Sequence, residues 1–118
     1  MNTSVNIGSL KLRNPIMNAS GTFGLDEYDK YIDFSKIGAL VAKSVTRNPK
    51  QGNRPPRIVE VDSGVLNCVG LQNTGVLDFV ENKIPKLRKI DTNIIVSISN
   101  HSVEDFKASA QMLDKVDG

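Results

Sequence analysis

The chain holds one cysteine, Cys68, and no tryptophan. A lone cysteine cannot close an internal disulfide, which fits a reducing, cytoplasmic setting. Its only possible soft-metal companion is a single histidine, His101, too few ligands for a zinc site. Aromatic residues make up 5% of the sequence, so no base-stacking platform is expected. Neither sign of charge dominates. The net charge is +2 with acids and bases interspersed, which argues against nucleic acid or an anionic membrane as partner. Apolar runs are far too short for a membrane span. The start, Met1-Asn2-Thr3-Ser4, lacks the basic and apolar regions of a secretory leader. Gly21 and Gly24 give G-x-x-G without a Walker lysine, and no dinucleotide fingerprint follows.

What is present is ordinary for a globular protein: 118 residues, 39% hydrophobic and 24% charged, enough for one domain or part of one. Val5-Asn6-Ile7 and Leu10-Lys11-Leu12 flank Gly8-Ser9 as a small hairpin. After the break at Asn14-Pro15, Ile16 to Ser20 reads as a short strand, and Leu25 to Ile32 as a short helix with acids in its first turn. Ile37 to Ala42 is a continuous apolar run, the mark of a strand buried on both faces in a parallel sheet. Arg47 to Arg57 carries three prolines and four basic residues and reads as an excursion from the core. Within it, Arg54-Pro55-Pro56-Arg57 suits a stiff hairpin beside a site better than a docking motif. Ile58 to Val61 is a candidate strand in the same region.

Thr74 to Ile90 reads as a helix that buries Val76, Phe79, Val80 and Leu87, with Pro85 expected to kink or divide it. Its basic end, Lys83 to Lys89, reads as solvated. Ile94 to Ile98 is the next strand. Ser102, with Asp105 three residues on, is a good N-cap for a helix burying Val103, Phe106, Ala110 and Leu113. Strands alternating with helices imply a parallel α/β sheet. Two architectures remain open on this pattern: a small three-layer α/β domain, or the first part of a (β/α)8 barrel, which runs to roughly 250 residues.

Strand ends in such folds line polar sites. Three are readable: Asn18 to Gly21, Lys43-Ser44, and Ser97 to Asn100. Lys43 can place a fixed charge beside a ligand such as a flavin, or simply reach water, the usual habit of lysine. Ser20 and Ser44 can bond a ligand or serve ordinary turns. Asn67-Cys68-Val69-Gly70-Leu71-Gln72-Asn73 offers amides and exposed backbone N–H groups suited to a small polar ring with a carboxylate, or a plain structural loop. Cys68 has no adjacent base and is expected to be buried, as free cysteines commonly are.

Together these segments resemble one family. Asn14 to Gly24, Lys43-Ser44-Val45-Thr46, Gly52 to Arg57 and Asn67 to Asn73 closely resemble, in order and approximate spacing, motifs of the dihydroorotate dehydrogenases. The resemblance covers essentially the whole chain. It implies that residues 1–118 are the N-terminal portion of a single FMN-binding TIM-barrel domain, incomplete in itself. It implies oxidation of dihydroorotate to orotate in pyrimidine biosynthesis. By residue-level match, Ser20, Lys43, Ser44 and Ser97 would face FMN. Lys43, Asn67, Cys68, Val69, Gly70 and Leu71 would hold the substrate. Ser97 departs from the pattern, standing where the NAD-linked class usually has asparagine. The family's catalytic cysteine lies in a segment beyond Gly118, so Cys68 does not take its role and no catalytic base is assigned here. The phrases Ser20 to Gly24 and Gly70 to Asn73 look like the NAD-linked class 1B, whose partner subunit carries FAD and a [2Fe-2S] cluster. The fumarate-linked class 1A, a dihydropyrimidine dehydrogenase-like barrel and a non-catalytic remnant are the alternatives. A part-barrel would also leave open sheet edges and uncovered apolar faces, needing its missing half or self-association.

Overall fold

The computed structural model describes residues 2–22 and 31–116. The predicted helix from Leu25 falls almost wholly outside the described residues. The expected N-terminal hairpin forms: β1 (Val5–Ile7) pairs antiparallel with β2 (Leu10–Leu12), and Val5 faces Leu12. Gly8 turns the corner at φ 58°, a left-handed conformation that costs glycine nothing in Cβ contact. Leu12 anchors the hairpin and is fully buried.

The centre is a parallel sheet. β3 (Ala39–Val41) runs beside β6 (Asn93–Ile95), with Leu40 opposite Ile94. Parallel bridges extend it at Met17 to Ala39 on one edge and Val45 to Ile98 beyond the strand ends. Three chain segments therefore lie side by side in sequence order. No closed barrel is present among the described residues, and β6 pairs only with β3.

The predicted first strand, Ile16 to Ser20, contracts to the single bridge at Met17 for a definite reason. The Asn18 side chain takes over the pairing: its Oδ1 accepts from Val41 N at 2.8 Å and its Nδ2 donates to Val41 O at 2.9 Å. One carboxamide thus substitutes for a peptide group. The approach is close. A Cβ on Gly38 would sit 1.9 Å from the Asn14 carbonyl oxygen, so only glycine fits there.

The helical run 76–87 covers the sheet. It comprises α1 (Val76–Asp78), a π-helical segment (Phe79–Lys83) and α2 (Ile84–Leu87). Val76, Phe79, Ile84 and Leu87 bury against Phe34, Leu40, Ala42 and Val45, with Val80 packed at the margin. The interruption expected at Pro85 takes the form of the π-helical segment just before it, and helical backbone is not broken. Proline lacks an N–H and its ring clashes with the carbonyl four residues back. The wider π turn just before it, closed by Ile84 N donating to Phe79 O, changes the register at that point, so helical backbone continues to Arg88.

α3 (Val103–Asp114) starts on the expected cap, with Asp105 N donating to Ser102 Oγ at 3.1 Å. Its buried face differs from the expectation. Val103 is 78% exposed and Phe106 40%, and Ala110 is also exposed. The fully buried residue is Ser109, whose hydroxyl accepts from Asn100 Nδ2 at 3.1 Å, while Leu113 packs on the core margin. Polar anchors, Asn100 to Ser109 and Arg47 to Asp105, set the rotation of this helix, and the apolar stripe is left uncovered.

The excursion ends in a second hairpin, β4 (Ile58–Val61) with β5 (Gly64–Asn67), all eight residues exposed. Arg54 to Arg57 is the irregular lead-in to this hairpin, with a bend at Pro55, not a hairpin of its own. Its two prolines offer no N–H for a ladder.

Candidate functional site at the strand tops

Pairing continues past β3 and β6. Ala42 N donates to Ile95 O, Val45 N to Ser97 O and Ser99 N to Val45 O, each at 2.9 Å. That register carries Ser44 and Ser97 onto the same side of the sheet end. Their Oγ atoms lie 2.7 Å apart, and Ser20 Oγ lies 3.2 Å from Ser44 Oγ. Ser20 Oγ also donates to Ala42 O at 2.9 Å. Three serines from three strand ends thus form one continuous row.

Lys43 stands beside this row. Its ammonium lies 3.7 Å from where a Cβ on Gly21 would sit. Gly21 has φ 77°, and the absent side chain leaves room against the lysine. Lys43 is exposed and makes no hydrogen bond or ion pair with another described residue. A cation with unused donors beside a row of hydroxyls, at the open end of parallel strands, suits a planar polar ligand bearing carbonyl or anionic groups. Gly21 lets such a ring approach the backbone. These observations fit a flavin ring.

The segment 67–71 is built by a different set of residues. Asn53 N donates to Val69 O at 3.0 Å, and its Nδ2 donates to Cys68 O at 3.0 Å and to Cys68 Sγ at 2.9 Å. Cys68 N donates to Arg57 O at 2.8 Å. Arg57 spreads its guanidinium over Gln51 O, Asn53 O and Gln72 Oε1. Gly70 (φ 76°) and Leu71 (φ 57°) are both left-handed, and a Cβ on Gly70 would lie 2.8 Å from Asn53. Cys68 is therefore exposed and held by Asn53, contrary to its expected burial, because the hairpin before it projects from the core. Asn67 closes that hairpin opposite Ile58, and its carboxamide has no hydrogen bond to another described residue.

Asn73 is structural. Its Oδ1 accepts from Thr46 N at 3.1 Å and Gly75 N at 2.8 Å, and its Nδ2 donates to Leu71 O at 2.8 Å. Backbone bonds between Lys50 and Asn73, at 2.9 Å each way, tie the excursion to this point. Thr46 lies only three residues after Lys43, so Asn73 connects the 67–71 segment to the end of β3. On the other side, Arg47 N donates to Asn100 Oδ1 at 2.8 Å and Arg47 Nη1 to Asp105 at 2.9 Å. The Arg47 bond, helped by Ser102, holds the Asp105 carboxyl below its ordinary range.

The structure brings Ser20, Lys43, Ser44 and Ser97 together, and gathers Asn67 to Leu71 around Asn53 and Arg57 as a separate unit. Sequence reasoning placed Asn18 at a strand end and Asn53 in a motif, without the pairing role of the first or the bracing role of the second. Asn53 and Arg57 stand in the Gly52 to Arg57 motif, the only signal that pointed to them. Among the described residues no cluster of histidine, cysteine and acidic side chains could hold a metal, and no helix is long and apolar enough to cross a membrane.

The arrangement defines a class: an α/β protein with a candidate ligand site at the carboxyl ends of adjacent parallel strands. Comparison narrows this. The family described as dihydroorotate dehydrogenase matches residues 2–118, and the chain belongs to that family. It is 50% identical over its whole length to the catalytic subunit of dihydroorotate dehydrogenase B (NAD+) from Thermoanaerobacter pseudethanolicus. The corresponding subunit of Bacteroides thetaiotaomicron is 45% identical over 97% of the chain, and that of Geotalea daltonii 46% over 96%. The chain spans 39%, 38% and 37% of these relatives' lengths, respectively, corresponding to the N-terminal portion of the B-type catalytic subunit.

Proposed function

We propose that this chain forms the first strand tops of an FMN-binding (β/α)8 barrel that oxidises dihydroorotate to orotate in pyrimidine biosynthesis. The observation that carries the reading is the row Ser20–Ser44–Ser97 with Lys43, unpaired among the described residues, beside it. Ser20, Lys43, Ser44 and Ser97 hold the flavin ring. Bound FMN supplies the acceptor for hydride from the substrate. Lys43 adds a fixed positive charge that favours negative charge developing on its ligand. Asn67 offers both a donor and an acceptor to the pyrimidine edge, and the 68–71 backbone closes around it. Asn53 and Arg57 hold that segment in place, which lowers the ordering cost of binding.

No residue here is placed as catalytic base. Cys68 Sγ accepts a hydrogen bond from Asn53 and donates none to another described residue. The uncovered stripe Val103, Phe106 and Ala110 and the free edge of β6 are the surfaces on which further barrel elements would pack. Electrons leave through a partner subunit to NAD+, in line with the printed names of the relatives, and the resemblance supplies FAD and a [2Fe-2S] cluster as that subunit's carriers.

The test is ligand choice by the protein expressed from its complete reading frame. Orotate should bind at least tenfold more tightly than uracil, and Asn67→Ala should remove most of that preference. Equal binding of the two pyrimidines would move the assignment to another pyrimidine-acting flavin barrel.

A further inference from the structure

A serine hydroxyl has one proton to donate and two lone pairs to accept with. Ser20 Oγ meets the Ala42 carbonyl at 2.9 Å, and a carbonyl can only accept, so the Ser20 proton is spent there. Ser44, 3.2 Å away, must then be the donor to Ser20. Its own proton is now used, so across the 2.7 Å contact Ser97 must donate to Ser44. One backbone carbonyl thereby sets the direction of the whole row.

We infer that the strand-top serines form a one-way chain, Ser97 to Ser44 to Ser20 to the Ala42 carbonyl, that leaves only acceptor oxygens for a ligand. Ser97, at the head of the chain, then selects a ligand edge bearing an N–H. Lys43 supplies only donors, so its counterpart on the ligand is a carbonyl or anionic atom. An N–H beside a carbonyl is the edge of a cyclic imide or ureide. Asparagine at the same position would present donors as well as an acceptor. Serine therefore narrows the choice. For the identity of the ligand as a flavin, the inference rests on the reading proposed above, and the imide edge of the flavin is the matching group.

The probes are FMN and its N3-methyl derivative, titrated into the protein expressed from its complete reading frame and followed by flavin fluorescence. FMN should bind roughly tenfold or more tightly than the N3-methyl compound, the loss expected when an acceptor is left without its donor. Ser97→Ala should shrink this ratio. Ser20→Ala is the sharper variant. It leaves Ser97 in place but frees one proton, so the row can reverse and Ser97 can donate. The ratio should fall in this variant too. A ratio near one in the parent protein, or one unchanged in Ser20→Ala as a purely steric effect of the methyl group would give, overturns the inference. A second readout needs no flavin: neutron diffraction of the deuterated protein should place deuterons on the Ser97-to-Ser44, Ser44-to-Ser20 and Ser20-to-Ala42 lines. Deuterons running the other way overturn the chain. Failure of both flavins to bind would count against the flavin reading, and the deuteron positions would still decide the direction.

Discussion

Gly70→Ala, set beside Gly8→Ala, separates two costs that a positive-φ glycine can hide. Both residues are left-handed, Gly8 at φ 58° and Gly70 at φ 76°. A Cβ on Gly8 meets nothing within 4 Å. Gly8→Ala therefore pays only for the backbone conformation, roughly 1–2 kcal/mol. A Cβ on Gly70 would lie 2.8 Å from Asn53 N, Cγ and Oδ1, a separation that forces Asn53 to move. Asn53 then loses its bonds to Val69 O, Cys68 O and Cys68 Sγ. Each is worth about 0.5–1.5 kcal/mol, and the exposure of Asn53 puts them at the lower end. Gly70→Ala should thus cost about 1–3 kcal/mol more than Gly8→Ala, read as the difference in urea midpoints at equal slope. It should also weaken orotate binding, which Gly8→Ala should leave unchanged. Equal destabilisation by the two substitutions would refute the claim that Asn53 braces the 68–70 backbone.

Three further outcomes are expected. Asn18→Asp replaces the donor facing the Val41 carbonyl with an acceptor, and should lower stability by about 2–3 kcal/mol in thermal or urea unfolding, with Asn18→Ala costing less. Asp105 is held below its ordinary value of 3.8 by Arg47 and then Ser102, so its contribution to stability is complete above that value. The contribution is lost as pH falls through the lower folded pKa. The acid limb of the stability profile should therefore flatten in Asp105→Asn, measured by unfolding midpoints below about pH 5. Residues 1–118 alone should show no dihydroorotate-dependent dye reduction, since no base is placed among the groups described. Turnover by that segment would overturn the assignment of roles.

Much of the frame was legible because local signals agreed with tertiary demands. The Gly8-Ser9 turn, the apolar run before Lys43 and the Ser102 cap each have a single local cause, and each forms. Orientation was less legible. Apolar spacing along α3 pointed to Val103, Phe106 and Ala110, yet the helix is turned by polar bonds to Arg47, distant in sequence, and to Asn100, just ahead of the helix, neither of which an apolar pattern reports. The first strand was misjudged for a related reason. Asn18 pairs through its side chain, and composition cannot distinguish a carboxamide acting as a peptide from one facing solvent. Cys68 followed the general habit of free cysteines until the projecting hairpin carried it outward. At the site, the serines were each identifiable as strand-end residues. Their assembly into one row depends on the register past β3 and β6, which only pairing partners reveal.

The most direct test of the central claim is the visible absorption spectrum of the protein expressed from its complete reading frame, taken after exhaustive desalting, beside that of Lys43→Met. The account predicts stoichiometric flavin bands in the parent. In the variant, loss of a charge-assisted contact worth about 1.5–3 kcal/mol should weaken flavin binding by roughly tenfold or more. A colourless parent protein, or a variant that retains flavin with unchanged affinity and spectrum, would contradict the placement of a flavin at these strand tops.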